Sequence, residues 1–74
     1  MALPALAQIG RKKRQLDTLR VMLRGVEELL AFAEQLADER ELDSGELDQV
    51  GQLTTRRERL IKSIAETEHA LSSR

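Results

Sequence analysis

The fold of this chain is decided by residues 29–53, LLAFAEQLADERELDSGELDQVGQL, which carry parts of two apolar stripes on either side of a polar break. Upstream of the break, apolar residues recur at alternating steps of three and four, at Leu16, Leu19, Leu23, Val26, Leu30, Ala33 and Ala37. Downstream they recur at Val50, Leu53, Leu60, Ile64 and Leu71. This heptad-like spacing predicts two amphipathic helices joined at Asp43-Ser44-Gly45, and therefore an all-α, coiled-coil-like antiparallel two-helix hairpin.

The charges predict the same alignment of the two helices as the apolar residues do. Folding the chain at Asp43 places four apolar pairs side by side: Ala33 by Leu53, Val26 by Leu60, Leu23 by Ile64 and Leu16 by Leu71. The same fold brings opposite charges together: Glu27 and Glu28 opposite Arg56 to Arg59, Arg20 opposite Glu66, and Asp17 near His69. An exposed ion pair is worth only about 0–1 kcal/mol, so these charges select the register more than they stabilise it.

The predicted organisation is an apolar N-terminal arm at residues 1–10 followed by the hairpin at residues 11–74. The hairpin comprises a helix at 11–41, a turn at 42–45 and a helix at 46–72. Pro4 suits the first turn of a helix, so the first helix alternatively begins there. Asp43, followed three residues later by Glu46, predicts a capping box at the start of the second helix. Gly25 lies within the first helix and lowers the stability of that helix by up to ~1 kcal/mol relative to Ala, unless a neighbouring backbone or side chain packs there.

Length and composition exclude several classes of protein. The 74 residues include no Cys, so neither a disulfide nor a thiolate zinc site supports the thin core of a hairpin. The net charge of −1 predicts no polyanionic partner, and the basic cluster Arg11–Arg14 lacks the interleaved aromatic residues that stack on bases. No apolar run approaches the ~18 residues of a membrane span. The basic cluster also follows the apolar segment 1–10, the wrong order for a signal peptide, so we expect a cytoplasmic protein.

The apolar stripes are broader than a two-helix seam requires. Met22, Leu29 and Leu36 flank the seam of the first helix, and Phe32 and Val21 lie further around it. Leu47 and Ile61 widen the second stripe. Three apolar positions per heptad suit packing against additional helices. The hairpin is therefore predicted to complete a bundle with another chain, either as a homodimeric four-helix bundle or by binding a different protein.

Arg57 lies on the predicted seam, at the layer of Leu30. Its guanidinium must reach the edge of the seam, where it pairs with Glu27 or Glu34 and helps set partner choice, or extends into water. The predicted partner-binding residues are Met22, Leu29, Phe32, Leu36, Leu47, Arg57 and Ile61.

Residues that could carry chemistry are few. His69 is the only histidine, and Thr54 and Thr55 have no nearby base to activate them. The acidic residues around the turn lack the ordered spacing of a calcium loop. We therefore expect no enzyme activity, no cofactor and no metal site.

Three stretches of the chain resemble export chaperones of the FliT and FlgN kind. They are Glu28-Leu29-Leu30-Ala31-Phe32-Ala33-Glu34-Gln35-Leu36, Gly45-Glu46-Leu47-Asp48, and Arg56-Arg57-Glu58-Arg59-Leu60-Ile61-Lys62-Ser63-Ile64. In that family a Leu-rich helix leads to a short Gly-Asp/Glu turn, and the second helix carries an Arg-x-x-Leu-Ile pattern, here at Arg57, Leu60 and Ile61. The resemblance covers residues 28–64. It implies a bacterial chaperone, or a co-chaperone of needle subunits, that masks a helix of a secreted subunit for type III export.

A second resemblance concerns Ser44-Gly45-Glu46-Leu47-Asp48, which is similar to the Ser-x-x-Leu-Asp signature of small sporulation aspartyl-phosphatases. It implies a regulator that acts on the phosphoaspartate of a response regulator. In that family the signature lies inside the second helix, whereas here it opens that helix. The predicted function is thus a non-catalytic protein-binding module of the export-chaperone kind. The alternatives are a phosphatase-type regulator and a structural homodimer.

Overall fold

The computed structural model describes residues 3–72, with side chains from Ile9 onward, and consists of two helices packed along their length. Helix α1 spans Leu3–Glu39 and helix α2 spans Ser44–Ser72. The predicted helical hairpin is confirmed, and the described residues contain no strand. The molecule is a rod of 60 × 17 × 14 Å. A rod this thin places most side chains within reach of solvent.

Both helices begin earlier than the sequence predicted, and α1 ends earlier. Helix α1 starts at Leu3, eight residues before residue 11 and one before the alternative start at Pro4, and it continues through Gly10 into the basic cluster. Pro4 falls in its first turn, where the missing N–H costs no hydrogen bond. The described part of segment 1–10 is therefore helical, and residues 1 and 2 lie outside the described residues. Helix α1 ends at Glu39 instead of 41, and α2 begins at Ser44 instead of 46, so the connection keeps its predicted length and lies two residues nearer the N-terminus.

The start of α2 is set by the predicted capping box. The backbone N–H of Glu46 donates to Oδ1 of Asp43 over 2.8 Å, and the backbone N–H of Asp43 donates to Oε1 of Glu46 over 3.0 Å. These reciprocal bonds make Asp43 the N-cap, so Ser44 and Gly45 belong to the first turn of the helix. The backbone N–H of Leu47 then donates to the carbonyl of Asp43 over 2.9 Å.

The core is a narrow line along the seam. Leu16 and Val26 of α1 and Leu60 of α2 are buried, and all three belong to the predicted stripes. Most of the other stripe residues are half-buried. Ala37 is the exception, because it is exposed while its neighbour Leu36 is half-buried. The seam of α1 therefore rotates towards Leu36 as it approaches the turn.

Ion pairs between the helices show the register. Nε of Arg57 lies 3.5 Å from Oε2 of Glu27, which confirms one of the two predicted partners. Nη2 of Arg20 lies 3.3 Å from Oε2 of Glu68, so the predicted pairing of Arg20 with Glu66 is wrong. Two positions along a helix correspond to a rotation of about 200°, which places Glu68 at the edge of the seam and Glu66 on the other side of α2.

Candidate protein-binding surface

Four large apolar side chains of α1 are exposed and form what we call the apolar flank: Val21, Met22, Leu29 and Phe32. Their exposed fractions are 72% for Val21, 44% for Met22, 55% for Leu29 and 59% for Phe32. Phe32 is also the only aromatic residue in the chain. Contiguous exposed apolar side chains of this size usually mark an interaction site.

The spacing of these residues places them on one side of α1. Steps of three and seven residues return to nearly the same direction around a helix, so Met22, Leu29 and Phe32 follow one another along it. Val21 lies about 100° around the helix from Met22 and widens the row on the side away from the seam. Leu36 extends the row towards the turn, where it is half-buried. Gly25 lies in the middle of the row, and a Cβ atom added there would meet nothing within 4 Å. The flank is therefore open at its centre.

Beside the apolar flank, α2 supplies a polar wall. Leu29 lines an open groove together with Gln52, Arg56 and Arg59 of α2, and Leu47 lines the same groove near the turn. The arginine side chains are exposed. A partner on this side of the hairpin would meet an apolar ridge on α1 and positive charge on α2.

The predicted partner-binding residues do not form one surface. Arg57 lines a second groove on the opposite side of the seam, with Glu27 and Glu34, and its guanidinium forms an ion pair with Glu27 there. Ile61 follows Arg57 by one helical turn and is 41% exposed, so it extends the Arg57 side. The structure thus brings Met22, Leu29, Phe32 and Leu36 together and separates them from Arg57 and Ile61.

The turn contains the tightest electrostatic contacts between described residues. Arg40 donates from Nη1 to Oε1 of Glu46 over 2.8 Å and from Nη2 to Oε2 over 2.6 Å. The bonds from the Arg40 guanidinium, followed by that from the Asp43 backbone N–H, lower the pKa of Glu46 from its ordinary value of 4.5 to about 2. In return, Glu46 raises the pKa of Arg40. The apolar and charge patterns did not predict this role of Arg40, although it is the only cation between Glu27 and Asp48.

The Ser44–Asp48 segment has a structural role in this turn. Its Glu46 is held by Arg40 and by the cap, and Asp48 is exposed in the first turns of α2. His69 lies exposed near the other end of α2. Over residues 3–72, no group of three His, Cys, Asp or Glu side chains is arranged to hold a metal ion. Neither described helix has a stretch long and apolar enough to cross a bilayer.

Comparison of the chain with protein-family models, with curated proteins and with solved structures finds no match. Function is therefore inferred from the exposed surface.

Proposed function

We propose that this hairpin is a non-catalytic protein-binding module that covers an apolar helix of another protein, in the manner of a small type III or flagellar export chaperone. The observation that carries the proposal is the exposed apolar flank of Val21, Met22, Leu29 and Phe32. These side chains contribute nothing to the buried core of the hairpin. Their exposure is unfavourable in a free chain, because apolar surface is stabilised by removal from water.

A helix is the partner that this surface fits best. The flank extends along α1, and the groove beside it follows α2 from Leu47 to Ser63. An amphipathic helix laid along the groove would place residues at steps of three and four against Leu29 and Phe32. Phe32 is the expected centre of the contact, because large aromatic side chains dominate the energetics of interfaces.

The charges specify which edge of the partner faces α2. Arg56 and Arg59 line the groove opposite Leu29, and both are exposed. A client helix should therefore carry acidic residues along the edge that meets these arginines. Complementary charge of this kind sets orientation and the rate of association more than the affinity itself.

The test uses fluorescently labelled peptides, each covering one helical segment of a type III secreted subunit. Binding to the full chain is followed by anisotropy at low protein concentration. We expect at least one segment with an acidic edge to bind. Leu29→Asp should weaken that binding by about tenfold or more, because it places a charge at the centre of an apolar contact.

Ile61→Asp provides the matched control, since it introduces the same charge at an exposed apolar residue on the Arg57 side. Binding should change by no more than about twofold, as is usual away from an interface. Helicity of both variants is checked by circular dichroism. The proposal would be refuted if no segment bound, or if Leu29→Asp and Ile61→Asp had the same effect.

A further inference from the structure

We propose that the apolar flank of α1 also binds a second copy of this chain, with the two α1 helices antiparallel and crossing at Gly25. The pairing requires no client protein, so it can be tested separately from the function proposed above, and failure of one proposal does not refute the other. A client helix and the second copy would use the same flank, and the two complexes would therefore exclude each other.

The first reason is the amount of surface that the hairpin leaves in water. The chain exposes 6093 Å², whereas a compact monomer of its mass would expose about 4600 Å². Only three apolar side chains are buried in the described part of the chain. Pairing along the rod would bury part of the excess surface and remove the side chains of the apolar flank from water.

The second reason is the arrangement of residues about Gly25. In an antiparallel pair centred there, Val21 of one copy faces Leu29 of the other, and Thr18 faces Phe32. Gly25 faces Gly25, and nothing in the hairpin itself lies within 4 Å of the position a Cβ would occupy. Packing within the chain therefore gives no reason for glycine at a position where it weakens the helix. Close approach of a second backbone supplies one.

The third reason is charge along α1. The basic cluster lies at one end of the flank and acidic residues lie at the other, so the antiparallel pair places Arg11 across from Glu39. Arg14 lies one turn further in and reaches the same carboxylate. All three side chains are exposed, and none forms an ion pair within residues 9–72 of a single chain. A parallel pair would instead place like charges together, which is unfavourable.

The charges of α2 agree with the same pairing. In the hairpin register the residue beside Gly25 is Ile61, so the two α2 helices would be centred near Ile61. This centre places Arg56 of one copy opposite Glu66 of the other. Both side chains are exposed and lie on the side of α2 that adjoins the apolar flank. The predicted pairing of Glu66 with Arg20 is wrong within the chain, and Arg56 of a second copy provides Glu66 with a partner.

Sedimentation equilibrium of the full chain over a wide concentration range tests the pairing. The mass should rise from 8.4 kDa to twice that value. Arg56→Glu and Glu66→Arg should each weaken the dimer by about tenfold or more, because each places like charges face to face. The double variant should restore the affinity of the unaltered chain. A monomer at every concentration, or a double variant as weak as the single ones, would overturn the proposal.

Cross-linking tests the direction of the helices, and the absence of Cys from the chain makes it specific. Val21→Cys and Leu29→Cys are mixed and treated with a short bifunctional maleimide. Covalent dimers should form mainly between the two different variants. Preferential linkage of Val21→Cys to itself would indicate parallel helices and contradict the proposal. Gly25→Ala should weaken dimerisation, whereas Gly51→Ala, at a position that lines the groove ten residues from the centre of the α2 pairing, should weaken it less.

Discussion

Replacing Gly51 with alanine should stabilise the hairpin, and the size of the effect follows from its surroundings. Gly51 lies inside α2, is exposed, and has nothing within 4 Å of the position a Cβ would occupy. No glycine among the described residues has a positive φ, so alanine introduces no strain. The substitution should therefore give the full gain in helix propensity, about 0.5–1 kcal/mol.

Thermal unfolding followed by circular dichroism measures this gain. For a domain of this size, a change of about 0.5–1 kcal/mol corresponds to a rise in Tm of about 2–8 °C. The same gain is expected for Gly25→Ala in dilute solution, because that position is equally open. At high protein concentration the two variants should diverge, since an alanine at position 25 hinders the close approach of a second α1.

Two results would refute this reasoning. If Gly51→Ala lowered the Tm in dilute solution, some part of the chain would have to approach α2 where the structure shows open space. If Gly25→Ala and Gly51→Ala raised the Tm equally at all concentrations, no backbone would pack against Gly25, and the proposed dimer would lose its central contact.

Three further predictions concern stability, measured by urea denaturation of the dilute chain. Asp43→Ala removes the N-cap of α2 and should cost about 0.5–2 kcal/mol, whereas Asp48→Ala, which bonds to no cap, should cost less. Glu46 has its pKa lowered to about 2 in the folded chain, so its stabilising effect is present above its ordinary pKa of 4.5 and is lost as the pH falls from there towards about 2. The unaltered chain should therefore be more stable than Glu46→Gln at neutral pH, and the difference should vanish near pH 2; a difference that persisted would contradict the pairing with Arg40. Leu60→Ala empties the most buried position of α2 and should cost about 2–5 kcal/mol, against a change within about 0.5 kcal/mol for Leu47→Ala at an exposed position.

Much of the fold could be predicted from the sequence, because two independent patterns specify the same register. The apolar stripes predicted Leu16, Val26 and Leu60 at the seam, and all three are buried. Glu27 and Glu34 were the predicted partners of Arg57, and Glu27 is the one that pairs with it. The capping box at Asp43 and Glu46 follows from local spacing alone, which is why it could be read directly.

Two predictions about side-chain positions were wrong, because they followed the order of residues along each helix and not the direction in which each side chain points around it. Glu66 and Glu68 are close in sequence but point to different sides of α2, so the partner of Arg20 was predicted incorrectly. For the same reason, Leu29 and Ile61 were predicted to belong to one binding surface, although they lie on opposite sides of the hairpin. Following the rotation of about 100° per residue would have separated them.

The helix ends and the bidentate contact at the turn could not be predicted in the same way. The start of α1 at Leu3 required Gly10 to be tolerated inside a helix, and propensity alone favours a break there. The bond between Arg40 and Glu46 depends on the path of the connection, which the stripes do not specify. The identity of the partner follows even less from the sequence, because an exposed apolar flank favours contact with many apolar surfaces.

The contacts of Glu46 have a consequence for the register of the two helices. The cap fixes the Glu46 carboxylate at the start of α2, and the same carboxylate bonds to the guanidinium of Arg40, which follows α1. Sliding one helix along the other would therefore break the bidentate ion pair. The turn thus fixes the alignment of the two helices at one end of a 60 Å rod.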